Sequence, residues 1–236
     1  MLDFIARYTI IRTHFESKFK GDYMNVSSEL RKCIFLLSTL FVCMSAFADD
    51  IVPTDPNDIR PLLVGQSIPA VTLKGIDGKS FSLNAAVAKK PTVIIFYRGS
   101  WCPYCNTHLG DLARREPELL ELGFQILAIS PDQPKYLQES IDKHSIEYTL
   151  LSDSDMAAAK AFGLAFMLDD ATLKKYKEYG IDLQKNSGQS HNMLPVPAAY
   201  LVTPEGKITF SFVAPDYKIR VKGDVLLAAA KEMVSK

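Results

Sequence analysis

The sequence predicts an α/β fold, a sandwich of helices around a central mixed β-sheet. Three observations carry the prediction. Continuous apolar runs rich in β-branched residues, such as "PTVIIFY" and "FQILAIS", have the length and composition of strands buried on both faces. Segments with helical spacing of apolar residues alternate with them. The last third then holds two strands joined by a tight turn, followed by one more helix. The 236 residues carry a net charge of +0 and are 47% hydrophobic, an ordinary globular balance that gives no electrostatic footprint for nucleic acid. No nucleic-acid partner is expected.

The elements follow in order. Residues 49–64 are rich in Pro and Asp and read as an extended lead-in to one domain at 65–236. "VTLKGIDGKSFSL" alternates in two short runs around Gly75, Asp77 and Gly78, which predicts an N-terminal β-hairpin. "PTVIIFY" is the central strand. In "NTHLGDLARREPELLELG", Leu109, Leu112, Leu119 and Leu122 fall on or near one helical face, and Pro117 is expected to kink or divide the helix. "FQILAIS" is the next strand, "PKYLQESIDKH" an amphipathic helix and "YTLLS" a short strand. "DMAAAKAFG" is a helix with Gly163 near its end. Between Ala165 and Leu194 lies an insertion, with a helix expected at Ala171–Tyr179 and a polar loop at "QKNSGQSHN". "AAYLVTPEGKITFSFV" is a pair of strands around Pro-Glu-Gly, and "KGDVLLAAAKEMVS" the closing helix.

Ahead of this domain, "MNVSSELRKCIFLLSTLFVCMSAFADD" starts at Met24 and has the three parts of a secretory signal. Arg31 and Lys32 form the basic flank, Cys33 to Met44 the apolar run, and Ala46 to Ala48 the small-x-small cleavage pattern. The apolar run is shorter than the ~20 residues that span a bilayer. Residues 24–48 are therefore expected to be a signal peptide cleaved after Ala48, with 1–23 an upstream extension. The mature protein would be periplasmic or secreted, with no stable membrane insertion. The alternative is an uncleaved signal that anchors the chain. Cleavage leaves only Cys102 and Cys105, in an oxidising compartment where an exposed pair needs a dedicated donor to stay reduced.

Those two cysteines lie in "FYRGSWCPYCNTH", between the central strand and the following helix. Pro103 sits at the first helical turn, where its missing N–H costs nothing. Cys102 then falls near the N-cap, beside unpaired N–H groups and the positive end of the helix dipole, both of which favour a thiolate. Cys105, about one turn on, shares its face. A zinc clamp would need a second ligand pair, and only His108 is near. A structural disulfide closing so short a loop would constrain the unfolded chain little. A C-x-x-C between strand and helix reads as a redox pair. No metal and no cofactor motif is expected; "GKS" at Gly78–Ser80 lacks the rest of a phosphate loop.

"VIIFYRGSWCPYC", followed about ninety residues later by "VPAAYLVTPEGKI", resembles the thioredoxin superfamily. "LAISPDQPKYLQESIDKHSIEYTLLSDSDMAAAKAFGL" is similar to its alkyl hydroperoxide reductase/thiol-specific antioxidant, or peroxiredoxin, branch. "RGSWCPYC", "LPVPAAY" and "APDYKIR" resemble a peroxiredoxin-like subgroup. The resemblance implies a thioredoxin-like fold and a thiol peroxidase that reduces hydroperoxides and is regenerated by a thioredoxin-like dithiol donor. The alternative it leaves open is dithiol–disulfide exchange on exported proteins or in cytochrome maturation. Copper-delivering relatives of the fold space their cysteines four apart, unlike the three here.

By the same resemblance Pro197 would be a cis-proline, presenting the backbone of Val196 to a thiol substrate. Trp101 would shield the site. The family pattern Pro-x-x-x-Thr-x-x-Cys places Cys105 at the peroxidatic position, Cys102 where the threonine stands and Arg98 where the proline stands. Pro197 occupies the place of the family's peroxide-polarising arginine, and Arg98 and Arg220 are the candidates to replace it. Aligned by its C-x-x-C, the chain instead makes Cys102 the nucleophile and Cys105 the resolver. Cys102 is favoured, as the sulfur expected to be more exposed and more acidic. His108 and His191 read as ordinary structural residues.

Overall fold

The computed structural model describes residues 52–144 and 146–235, so the expected signal peptide at 24–48 and upstream extension at 1–23 lie outside the described residues. One seven-stranded mixed sheet forms the centre, in the order Ser80–Ser82, Thr72–Lys74, Thr149–Ser152, Gln125–Ser130, Thr92–Phe96, Ala198–Val202 and Ile208–Val213. The expected hairpin is β1 (Thr72–Lys74) and β2 (Ser80–Ser82), paired antiparallel. The central strand is β3 (Thr92–Phe96), buried along its whole length. It runs parallel to β4 (Gln125–Ser130), which is parallel to β5 (Thr149–Ser152), and antiparallel to β8 (Ala198–Val202). β9 (Ile208–Val213) closes the edge beside β8, as the Pro-Glu-Gly turn predicts.

Alternation along β3 explains its two-sided burial. Val93, Ile95 and Tyr97 pack in one cluster with Leu109, Leu112 and Leu119 of α2 (Pro103–Glu121), Leu137 of α3 (Pro134–His144) and Leu226 of α7 (Gly223–Val234). Ile94 and Phe96 point the other way, onto α1 (Leu83–Val87) and α4 (Ala157–Ala161). Each such aliphatic side chain contributes about 1.5–3 kcal/mol by leaving water. Of the kink or division expected at Pro117, the division does not occur: α2 runs through it as one helix. Pro117 itself is exposed while Leu112 and Leu119 are buried on either side, so burial carries the helix across its missing hydrogen bond.

The insertion holds more structure than its sequence suggested. Its α5 (Asp170–Glu178) matches the expected helix, but the polar stretch contains a short α6 (Leu183–Ser187). Asp182 caps α6 through the Lys185 N–H at 2.9 Å, and Gly188 ends it at φ 71°. The insertion is tied off by a two-stranded sheet of β6 (Ala165–Met167) and β7 (Met193–Pro195), which had no sequence signal of its own. Among the described residues no helix is long and apolar enough to cross a membrane.

The lead-in straps across the domain through Leu62 N–H to the Phe162 carbonyl at 3.1 Å. Gly163, at φ 68°, lies directly beneath this strap, and a Cβ there would overlap the Arg60 carbonyl. Gly163→Ala should therefore cost about 2 kcal/mol or more, from backbone strain and displacement of the strap. The denaturation midpoint should fall, and an unchanged midpoint would contradict that packing.

Candidate active site

The strand-to-helix turn after β3 is fixed by a buried carboxylate. Asp132 accepts the Ser100 N–H at 2.7 Å, and Asn106 Nδ2 donates to the Ser100 carbonyl at 2.9 Å. Burial raises the Asp132 carboxyl to about 6, against the Ser100 hydrogen bonds that lower it. Gly99 adopts φ 143°, and a Cβ would meet Asp132 Oδ1 at 2.9 Å, so no other residue fits this turn without displacing its anchor.

The turn delivers Cys102 to the N-cap of α2, with Pro103 at the helix start, as the motif predicts. Both thiols are free and both are buried, 1% exposed at Cys102 and 0% at Cys105. Cys102 is the less deeply buried of the two, as expected, but it is not open to solvent. Its acidity is as expected, though from a different principal cause. The Cys102 thiol is brought down to about 6, first by the side-chain hydrogen bond from Cys105. The Cys105 N–H and then the Arg98 and Arg220 charges add to this, while burial opposes it. The Cys105 thiol is pushed well above its ordinary value by burial, then by giving its hydrogen bond and facing the Cys102 charge. Two sulfurs therefore share one proton and one negative charge.

The two sequence-selected arginines both act on this pair. Arg220 Nη2 donates to Cys105 Sγ at 3.3 Å, while Nη1 donates to the Tyr217 carbonyl and, at 2.7 Å, to that of Ile219. Arg98 is buried and donates to the Tyr176 hydroxyl of α5. Its guanidinium lies 5.2 Å from the Trp101 ring, 5.6 Å from Tyr176 and 4.2 Å from Tyr217. Trp101 packs edge-on to Tyr176 at 5.7 Å, which fastens the insertion over the turn.

A family model for the AhpC/TSA family matches residues 64–211. The chain belongs to the AhpC/TSA family. "Putative peroxiredoxin bcp" of Haemophilus influenzae is 41% identical to it over 106 residues, 45% of this chain and 68% of that relative. "Peroxiredoxin Bcp" of Escherichia coli strain K12 is 29% identical over 106 residues, 45% of this chain and 67% of that relative. Among solved structures, reduced Prx3 of Vibrio vulnificus in complex with hydrogen peroxide shares the fold. Its TM-score is 0.60 at 19% identity, covering 73% of this chain and 98% of that one. The chain is accordingly an oxidoreductase of the peroxiredoxin type with a thioredoxin-like fold.

Within this peroxiredoxin two expectations drawn from thioredoxin resemblance fail. No cis peptide bond occurs among the described residues, so the Val196–Pro197 bond is trans. Val196 is fully buried and its N–H donates to the Leu164 carbonyl at 2.8 Å, so its backbone is not open to a thiol substrate. The physical reason is that β8 is hydrogen-bonded to β3 on one side and β9 on the other, and the Leu164 carbonyl takes the N–H of the residue before Pro197. His191 is an ordinary residue as read, accepting the Met193 N–H at 3.0 Å and meeting the Ser154 carbonyl at 2.9 Å. His108 differs from its reading, being buried in α2 within the field of Arg220; the three-residue step from Cys105 that puts it there was visible in the sequence.

The shared proton has a direct signature. Thiolate absorbance of the reduced protein should rise with a midpoint near pH 6 for one sulfur only, and vanish from that range in Cys102→Ser. In Cys105→Ala the midpoint should move up, because the strongest contribution to the acidity is removed. Two thiols titrating together above pH 8 would contradict the arrangement.

Proposed function

We propose that this peroxiredoxin is an exported peroxidase that reduces hydroperoxides through Cys102 and Cys105 and is regenerated by a thioredoxin-like dithiol donor. The observation that carries the reading is a pair of free, buried thiols at a helix N-terminus, with Arg220 Nη2 3.3 Å from Cys105 Sγ and Arg98 buried in the same turn. Cys102 is the nucleophile. Its thiolate attacks the terminal oxygen of the peroxide, the O–O bond breaks, and Cys102 becomes a sulfenic acid while the other oxygen leaves as alkoxide. Cys105 gives that alkoxide its proton. The resulting Cys105 thiolate, facing the Arg220 guanidinium, then displaces hydroxide from Cys102 and the disulfide closes. The peroxide is reduced by two electrons, the dithiol oxidised by two, and a donor dithiol restores it by exchange.

Arg98 and Arg220 supply the cationic environment that the family draws from elsewhere in the chain. Export is supported by the signal-like segment at 24–48. The test couples purified mature protein to a thioredoxin-like donor and its reductase, with hydrogen peroxide as oxidant. Donor consumption proportional to peroxide, lost in either Cys→Ser variant, is the expected result. Turnover unaffected by the donor would reject the donor assignment. For export, the N-terminus of the protein recovered outside the cytoplasm should be Asp49; protein found only inside the cytoplasm would reject it.

A further inference from the structure

The first turn of α2 buries its sulfurs and exposes what lies between them. Cys102 and Cys105 are buried, but Pro103 and Tyr104 are exposed, as is Thr107 about one turn on. Tyr104 is 44% exposed and packs edge-on against Tyr217, 39% exposed, at 5.8 Å. Ile219, two positions further along that segment, is 53% exposed. Large apolar side chains scattered singly over a surface carry no message. Two exposed rings in contact, with a third apolar residue beside them in the chain, mark a place where another molecule binds. Tyr217 also lies 4.2 Å from the Arg98 guanidinium, so this patch adjoins the reacting end of the domain.

Next to the patch, Tyr104, Thr107, Lys218, Arg220 and Lys222 line a cleft of about 550 Å³ between α2 and the chain leading into α7. Neither cysteine lines it, so it is a surface beside the reaction and not its chamber. It borders the dithiol through Arg220, whose Nη2 donates to Cys105 Sγ at 3.3 Å. Its charge is one-sided. Asp111 pairs with Arg114 at 2.8 Å and accepts the Gly223 N–H at 2.7 Å, and Asp224 pairs with Arg115 at 2.6 Å. Lys218 and Lys222 form no ion pair among the described residues; Lys218 lies over the Tyr217 ring at 5.9 Å. Along residues 216–222, Lys218, Arg220 and Lys222 stand against one carboxylate, Asp216, which accepts the Lys218 N–H at 3.0 Å.

We propose that the Tyr104–Tyr217 patch and the basic cleft beside it form the docking surface for the donor dithiol protein, a reading that rests on the peroxidase function proposed above. The donor it fits presents an apolar loop flanked by Asp and Glu side chains next to its own dithiol. A hydroperoxide needs no exposed pair of rings and brings no charge for three cations to meet. A protein that carries a thiolate to a disulfide at the first turn of α2 must cross Pro103 and Tyr104. Seated there, the donor thiolate attacks Cys102 Sγ of the disulfide. The S–S bond breaks and its electron pair goes to Cys105, where Arg220 Nη2 stands in the reduced form. The donor's second thiolate then attacks the donor sulfur of the mixed disulfide, and Cys102 leaves as a thiolate. The donor is oxidised by two electrons and the peroxiredoxin reduced by two. The rings supply the apolar centre of the contact, and the lysines a charged rim that speeds encounter and selects the sign of the partner.

The experiment compares two donors with hydrogen peroxide as oxidant. One is a thioredoxin of net negative charge, kept reduced by its reductase and NADPH. The other is dithiothreitol, a small dithiol that needs no docking surface. Lys218→Glu combined with Lys222→Glu should raise the KM for thioredoxin about tenfold, and Tyr104→Ser about fivefold. With dithiothreitol both variants should turn over as wild type does, which also shows that they fold. Raising salt from about 50 mM to about 300 mM should raise the wild-type KM for thioredoxin and leave that of the double lysine variant nearly level. A thioredoxin KM that neither the substitutions nor salt alters overturns this inference alone. Sedimentation showing wild-type self-association that the lysine variant loses would assign the surface to a second copy, and overturns it as well. A wild type that dithiothreitol drives and thioredoxin does not removes the donor assignment and the docking surface together. One that reduces no peroxide with either donor overturns the peroxidase reading itself.

Discussion

Replacing Cys102 with serine should abolish peroxide reduction, lowering the rate at least about a thousandfold. A serine hydroxyl cannot be ionised near neutral pH, so the hydrogen bond and cations that gather charge on Cys102 would have nothing to act on. Cys105→Ser should behave differently. Its serine hydroxyl still donates to the Cys102 thiolate, so one turnover to sulfenic acid should proceed. That acid should then persist, since no second sulfur displaces hydroxide, and a dimedone adduct on Cys102 should accumulate. Rapid-quench mass spectrometry of both variants separates the roles. Adduct forming on Cys105 in Cys102→Ser, at the wild-type rate, would reverse the assignment and restore the family register.

Removing the charge at Arg220 should have the second largest effect. Arg220→Met keeps the stem but removes the donor to Cys105 Sγ and one of the two cations beside Cys102. Loss of one preorganised donor at developing charge costs about a hundredfold in rate. The Cys102 titration midpoint should rise at the same time. Stability should follow by linkage. The folded-state pKa of Cys102 lies below the value of a free thiol, so the reduced protein gains stability as pH rises from about 6 to about 8.5, above which the Cys105 thiol, held protonated in the fold, offsets the gain. It loses that contribution as pH falls through about 6. In Arg220→Met the gain should begin at higher pH and be smaller, and in the disulfide form of wild type it should be absent. Steady-state rates and urea denaturation at pH 5.5 and 8.5 measure both. A variant with wild-type rate would show that Arg220 only props the 217–220 segment through the carbonyls it binds.

The sheet and its flanking helices were legible because each element carries its own local pattern. β3 reads as buried on both faces from Val93 to Phe96 alone, and the β8–β9 turn from Pro204, Glu205 and Gly206. The C-x-x-C gave the turn, the N-cap and the acidity of Cys102. What the sequence hid depends on distant pairing. The β6–β7 sheet joins Phe166 to Leu194, partners with no periodic signal between them, and α6 has only Leu183 as an apolar marker. The aromatic cover beside the turn could not be read either, since Tyr176 and Tyr217 reach Arg98 from 78 and 119 positions away. The cis reading of Pro197 failed for a related reason: the backbone before it is bound by Leu164, 32 positions earlier, which no local pattern announces.

The most direct measurement is stopped-flow oxidation of the reduced protein by hydrogen peroxide as a function of pH. A second-order rate far above that of free cysteine, rising with a midpoint near pH 6 and level thereafter, is the predicted result. A rate no greater than that of free cysteine, or one that climbs only above pH 8, would contradict the ionised, proton-sharing dithiol from which the mechanism is built.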